Sequence, residues 1–213
     1  MSAALLDEGF RTSLPLRVRY DDGGCVPLAL HRWLGRARGA DAALLSRAAG
    51  PTLDVGCGPG RLVAALTQAG VPALGIDIAP SAIRLTRRAG GPAVLASVFD
   101  EVPEAGEWAV VVLADGNIGI GGDPVRLLRR TAELLRPGGC VLVELAPPGT
   151  GLLLQRVRLE DHAGRTGSWF DGAGLGVAAV TEVAAAADLA VGETWSSPDD
   201  EGGPRWFASL HAV

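Results

Sequence analysis

A chain of 213 residues with 48% apolar and 20% charged side chains is long enough for one sizeable core, and its composition excludes a disordered, collagenous or coiled-coil protein. Its formal net charge of −5 lacks the basic footprint of a nucleic-acid binder, and its 19 basic residues are all arginine. The absence of lysine excludes Schiff-base lysine chemistry and the lysine of a phosphate-binding P-loop.

The first segment, MSAALLDEGFRTS, carries acidic residues where a secretory leader is basic. Residues 1–50 read as a substrate-side cap, with two short helices expected within VPLALHRWLGRARG and DAALLSRAAG after the apolar-basic LPLRVRY. From 51 onward, β-rich runs alternate with helical-period stretches, the pattern of consecutive βα units around a mostly parallel sheet. Strands are expected at 52–56, 73–78, 93–96, 108–114 and 140–146, with helices at 61–69, 81–89 and 124–135. The last helix has Asp123 as its N-cap, Pro124 at its first position and a Pro-Gly-Gly stop. Residues 152–170 read as an inserted β-hairpin around the turn-rich DHAGRTG, and 177–189 as a helix. Strands 191–196 and 205–213, joined by SPDDEGGP, form a closing hairpin that makes the last strand antiparallel. No apolar run reaches membrane-spanning length, and Cys25, Cys57 and Cys140 are too far apart for a zinc knuckle or a disulfide framework, so a cytoplasmic protein without a metal is expected.

The segment LDVGCGPGRL runs from a buried strand through Gly56, Gly58 and Gly60 straight into a helix, so its backbone can approach a ligand at the carboxyl edge of the sheet. A dinucleotide fingerprint places its third glycine at position 61, where this chain has arginine, which weakens a nicotinamide reading. Asp77 ends the second strand 77 − 54 = 23 residues after Asp54, the place and spacing for a carboxylate that accepts two ribose hydroxyls. A nucleoside ligand with a zwitterionic amino-acid tail and no diphosphate satisfies both features, which favours S-adenosylmethionine.

Together, LDVGCGPGRL, GIDIAPSAI, SVFD, VVLADGNIG and ELLRPGGCVLVEL resemble the ordered motifs of the class I S-adenosylmethionine-dependent methyltransferases. The resemblance covers roughly residues 51–145. It implies a Rossmann-like three-layer α/β/α sandwich whose seven-stranded sheet has the order 3-2-1-4-5-7-6 with strand 7 antiparallel. It also implies one methyltransferase domain over 51–213, with S-adenosylmethionine as cofactor and S-adenosylhomocysteine as product. By position, Gly56, Gly58 and Gly60 line the methionine moiety above Asp54, with Cys57 a small filler in the loop. Asp77 takes the ribose hydroxyls, Ile78 the adenine face, and Ser97, Val98 and Phe99 frame the adenine. Ala114, Asp115 and Gly116 lie beside the sulfonium methyl. Strand 4 is not followed by an Asn/Asp-Pro-Pro-aromatic sequence, which argues against a nucleic-acid base or a glutamine side chain as acceptor.

Methyl transfer from a sulfonium is an in-line displacement that requires a positioned nucleophile and, for some acceptors, a base. Asp115 and Asn117, after the fourth strand, are at the correct edge to position ligands. His31 in the cap has the titration range of a general base, with Arg32 placed to pair with a carboxylate of cofactor or substrate and Trp33 to cover it; a helix that merely packs Trp33 on the sheet is the bland alternative. Asp161 and His162 fall in the hairpin turn, and the acidic SPDDEGG loop emerges at the same edge. A small-molecule acceptor of undetermined oxygen, nitrogen or carbon chemistry is expected. The rival readings are a non-catalytic binding protein of the same fold and an NAD-dependent oxidoreductase, which needs a Tyr or His proton donor near the nicotinamide, whereas the sole tyrosine, Tyr20, is in the cap.

Overall fold

The structure, a computed structural model, describes residues 3–199 and 203–213. It opens with helix α1 (Ala3–Thr12), a hairpin of β1 (Leu16–Tyr20) and β2 (Cys25–Pro27), the single turn α2 (Leu30–Trp33) and α3 (Ala40–Leu45). The βα units follow: β3 (Thr52–Val55), α4 (Arg61–Gln68), β4 (Ala73–Asp77), α5 (Pro80–Arg88), β5 (Ala93–Leu95) and β6 (Trp108–Leu113). A 3-10 turn (Asn117–Gly122) leads into α6 (Pro124–Leu134) and β7 (Leu135–Leu145). Then come β8 (Leu152–Asp161), β9 (Phe170–Leu175), a second 3-10 turn (Val177–Ala179), α7 (Val180–Ala185), β10 (Leu189–Pro198) and β11 (Pro204–Ala212).

The seven-stranded sheet has the order β10-β11-β7-β6-β3-β4-β5. In the sheet's own numbering this is 3-2-1-4-5-7-6 read from the other edge, and β11 alone runs antiparallel to its neighbours, as expected. Every residue of β6 (WAVVVL) is buried because both faces are covered. Val111 and Leu113 pack under α6 and α7, whereas Val110 and Val112 pack under α3 and α4. Asp123 caps α6 by accepting from the Arg126 N–H at 3.0 Å, with Pro124 at the first position.

Three expectations need correction. The cap is not purely helical: Leu16, Val18 and Tyr20 alternate with Arg17 and Arg19, a period of two, and β1 pairs with β8 from Leu16↔Asp161 to Tyr20↔Val157. The inserted hairpin is therefore half of a four-stranded sheet of order β2-β1-β8-β9, and its return strand is Phe170–Leu175, not a strand ending at 170. The helix expected over 177–189 shrinks to α7, because Asp188 takes a left-handed φ of 58° and Leu189 enters β10. Of smaller weight, β7 starts at Leu135, its pairing to β6 interrupted by an irregularity between Trp108 and Val110.

A third cluster, containing Leu5, Leu6 and Phe10 of α1 with Leu30, Ala82 and Leu159, joins the small sheet to the rim of the large one. The Asp7 carboxylate reaches from α1 to accept the Ser81 N–H at 2.6 Å, capping α5, whose own N-cap residue is Ala79.

Candidate functional site

Between the carboxyl edge of the large sheet and the inner face of the small one lies a cavity of about 850 Å³, the upper part of the range for small-molecule sites. The glycine loop forms one side. Gly56 and Gly58 line it with φ of 70° and 54°, values that L side chains rarely adopt, and a Cβ at Gly56 would come within 2.8 Å of Asn117 Nδ2. The Asp77 carboxylate, in the wall, accepts from the Gly58 N–H at 2.9 Å through Oδ2 and from the Ala79 N–H at 2.8 Å through Oδ1. Burial holds this carboxyl above its ordinary range, against those two hydrogen bonds. One carboxylate thus welds loop to strand and keeps lone pairs for a ligand in the cavity. Ile78, Ser97, Val98 and Phe99 follow along the wall, with Ser97 Oγ accepting from the Phe99 N–H at 3.2 Å.

Asn117 lines the cavity but donates Nδ2 to the carbonyls of Val55 at 2.8 Å and Gly56 at 3.0 Å, so it clamps the glycine loop. Asp115 and Gly116 also line it, and Asp115 sits in the left-handed region at φ 55°, which aims its N–H at Glu144 Oε2, 2.6 Å away. The Asp115 carboxylate pairs with Arg61 Nη1. Arg61 also holds Asp41 (Nε–Oδ2 2.8 Å), and Arg205 bridges Asp41 (2.7 Å) to Glu144 (2.7 Å). Two guanidiniums thus bind three carboxylates in a network that reaches the cavity wall at Arg61 and Asp115, with both guanidiniums held above their ordinary range by those partners against burial. Burial raises the Asp115 carboxyl above its ordinary range, against the attraction of Arg61 and Arg205.

The other expected residues divide. Trp33 lines the cavity and packs on Phe10 with ring centroids 6.2 Å apart. His31 is exposed and Arg32 pairs with Asp199 at 3.0 Å; neither is in the wall, because on α2 the positions i and i+3, Leu30 and Trp33, face inward. That pair also answers the acidic-loop expectation at Asp199, while 200–202 lie outside the described residues. Gly60 is not in the wall: it is the N-cap of α4 at φ 86°, and a Cβ there would collide with Thr86. Ala114 is buried behind the wall. Asp54 is also behind it, with Oδ2 buried and unpartnered among the described residues, and burial pushes its carboxyl up to about 7 against the attraction of Arg61. Cys57 lines the loop as a buried thiol raised by burial, a poor nucleophile. Asp161 fixes the hairpin turn by accepting from Ala163 and Arg165, and Arg165 ties that turn to Glu8 of α1 at 3.0 Å; His162 is exposed.

Leu6 of α1 and the inward residues of the small sheet, Tyr20 and Gln155 among them, line the cavity without having been expected to. The two-residue alternation in LRVRY and in LLLQRVRLED was the available signal. Arg61, Asp41, Glu144 and Arg205 gave none, since a buried ion network joins charges that are 20 to 164 positions apart in sequence. Among the described residues no three His, Cys, Asp or Glu gather as metal ligands, and no helix is long and apolar enough to cross a membrane.

A family described as a methyltransferase domain matches residues 31–181. The chain is 33% identical over 96 residues to the ubiquinone biosynthesis O-methyltransferase of Bordetella avium (strain 197N); the match takes in 42% of this chain and 39% of that protein. The chain thus spans about two fifths of the length of that curated relative. Among solved structures, a SAM-dependent methyltransferase from Bacteroides fragilis in complex with S-adenosyl-L-homocysteine superposes with a TM-score of 0.78 at 21% identity, covering 100% of this chain and 94% of that one. The 1,6-didemethyltoxoflavin-N1-methyltransferase of Burkholderia thailandensis, solved with 1,6-didemethyltoxoflavin and S-adenosylhomocysteine, has a TM-score of 0.61 at 22% identity, over 98% of this chain and 87% of that one. At these identities the superpositions speak for the fold.

Proposed function

The chain belongs to the methyltransferase-domain family, and from that premise we propose that it transfers a methyl group from S-adenosylmethionine to a small-molecule acceptor. The observation that carries this reading is the glycine loop, whose Gly58 N–H is held by the Asp77 carboxylate at 2.9 Å at the mouth of a cavity of about 850 Å³. The residues present fit the cofactor. Gly56 and Gly58 leave a cradle free of side chains, Asp77 offers acceptor capacity to a ribose, and Ile78, Ser97, Val98 and Phe99 supply a half-apolar slot for a flat base.

When bound, the cofactor supplies a sulfonium-activated methyl group, so the protein's work is alignment, exclusion of water and, where needed, proton removal. Asn117 and Asp77 fix the glycine loop that would hold the cofactor. Asp115 and Gly116, at the end of β6, flank the place of transfer, with Asp115 held still by Arg61 and Glu144. Leu6 and Phe10 of α1 cover the loop, Phe10 Cζ being 3.7 Å from where a Gly58 side chain would start. The net charge of −5 supports acceptors other than nucleic acid, and three unpaired cysteines support a reducing, cytoplasmic setting.

Calorimetric titration with S-adenosylmethionine, S-adenosylhomocysteine and NAD tests the reading. Micromolar binding of the two adenosyl-sulfur ligands without NAD binding is expected; NAD binding alone overturns it.

A further inference from the structure

The half of the cavity that faces the small sheet has a chemistry of its own. Register places Tyr20 beside Val157 and Val157 beside Phe170, then Gln155 beside Gly172 and Leu153 beside Gly174. With Trp33, these put three aromatic side chains in this wall. Past Phe170 the inward positions of β9 carry no side chain: a Cβ on Gly174 would find nothing closer than Leu153 Cβ at 3.9 Å, and one on Gly172 would meet Val157 Cγ2 at 3.3 Å. A recess therefore opens at Gly174, with Val157 close beside Gly172 and aromatic side chains in the same wall, and glycine inside a strand marks where a ligand can approach the backbone.

The polar groups and charges narrow the occupant. Neither the Tyr20 hydroxyl nor the Gln155 amide has a hydrogen-bond partner among the described residues, although both residues line the cavity. Among the described residues Arg61 is the one basic side chain in the wall, and it is bound to Asp41 and Asp115, whereas Asp77, Asp115 and Asp171 are all in the wall. Among the described residues of the wall an anionic acceptor would meet carboxylates and no unpaired cation.

We propose that this recess is the acceptor subsite and that it takes an uncharged, planar aromatic compound, its ring lying over Gly174 and its polar substituent held by Tyr20 and Gln155. The proposal rests on the methyltransferase reading only in that the ring must face the cofactor half of the same cavity.

The test titrates the full chain, saturated with S-adenosylhomocysteine, with 2-naphthol and with 2-naphthoate. Naphthol should bind at least about tenfold more tightly than naphthoate, since the carboxylate is desolvated without a partner. Gly174→Val, which fills the recess at a position with ordinary backbone angles, should weaken naphthol about tenfold or more. Tyr20→Phe and Gln155→Leu should each weaken it about three- to tenfold, and all three variants should hold S-adenosylhomocysteine within about twofold of the parent. Intact cofactor binding with naphthoate equal or preferred overturns the acceptor class. Naphthol affinity unmoved in Gly174→Val and Tyr20→Phe, or no naphthol binding at all, overturns the subsite. Failure of the parent chain to bind S-adenosylhomocysteine overturns instead the reading beneath it.

Discussion

The two sheets border one cavity and use their polar groups in opposite ways. On the large sheet's edge, Asp77 holds two backbone N–H groups, Asn117 holds two carbonyls, and Asp115 is bound to Arg61 and Glu144. On the small sheet, Tyr20 and Gln155 face the same space and hold nothing among the described residues. Groups satisfied from within fix a backbone before any ligand arrives, and groups left open keep their donors and acceptors for the ligand. The first arrangement suits one invariant cofactor, the second an acceptor that differs from enzyme to enzyme.

Removing Arg61 should break this contrast most severely. Arg61→Ala leaves Asp41 and Asp115 buried with half their compensation and is expected to lower unfolding free energy by about 3–5 kcal/mol in urea titration. In the same titration Tyr20→Phe should move it by less than about 0.5 kcal/mol. An Arg61 variant as stable as the parent would mean that the network does not anchor the cofactor edge.

Asp77→Ala comes next. It strands the N–H groups of Gly58 and Ala79 and removes the proposed ribose acceptor, so S-adenosylhomocysteine should bind about 1.5–3 kcal/mol more weakly by calorimetry. Unchanged affinity would take Asp77 out of the site.

Asp54 sharpens the comparison through pH. Its carboxyl is raised from 3.8 to about 7 in the folded chain, so between those values the folded state keeps a proton that the unfolded state has lost. The stability attributable to this group therefore falls as pH rises through that window, by at most about 1.4 kcal/mol per unit. Asp54→Asn should remove that part of the slope in thermal melts between pH 4 and 7; an identical pH profile for variant and parent would place the charge elsewhere.

The smallest effect is expected at His31. Exposed on α2 and outside the wall, it should be replaceable by alanine with cofactor affinity and turnover changed by less than about twofold. A large loss of turnover alone would return it to the reaction.

What could be read from the sequence follows the same division. The βα alternation, the glycine loop, Asp77 and the closing hairpin are local patterns, each contained within a few dozen residues, and the family resemblance that such motifs carry implies the sheet order found. The small sheet was harder, because its pattern is split between residues 16–27 and 152–175, and neither half shows which edge it joins. His31 could not be placed from the sequence for a related reason: its chemistry suits a base, but on a single turn its direction depends on Leu30 and Trp33 burying themselves, which leaves it outside the wall. Arg61 looked like a defect in a dinucleotide fingerprint and is instead the centre of a charge network whose members no local window contains.

The pairing of β1 with β8 also has a timetable. Arg17 is built long before its partner Glu160, a gap of 160 − 17 = 143 residues, which at roughly 5–20 residues per second is about 7–29 s of synthesis. During that interval the β1–β2 hairpin has an open edge and an apolar face carrying Leu16 and Val18, the kind of surface that recruits strands from other chains. Arg17 and Arg19, alternating with those residues, put two positive charges on the opposite face of the waiting strand. Arg19 later pairs with Glu160 at 2.6 Å, so a side chain that guards the nascent edge ends as part of the seam that closes it.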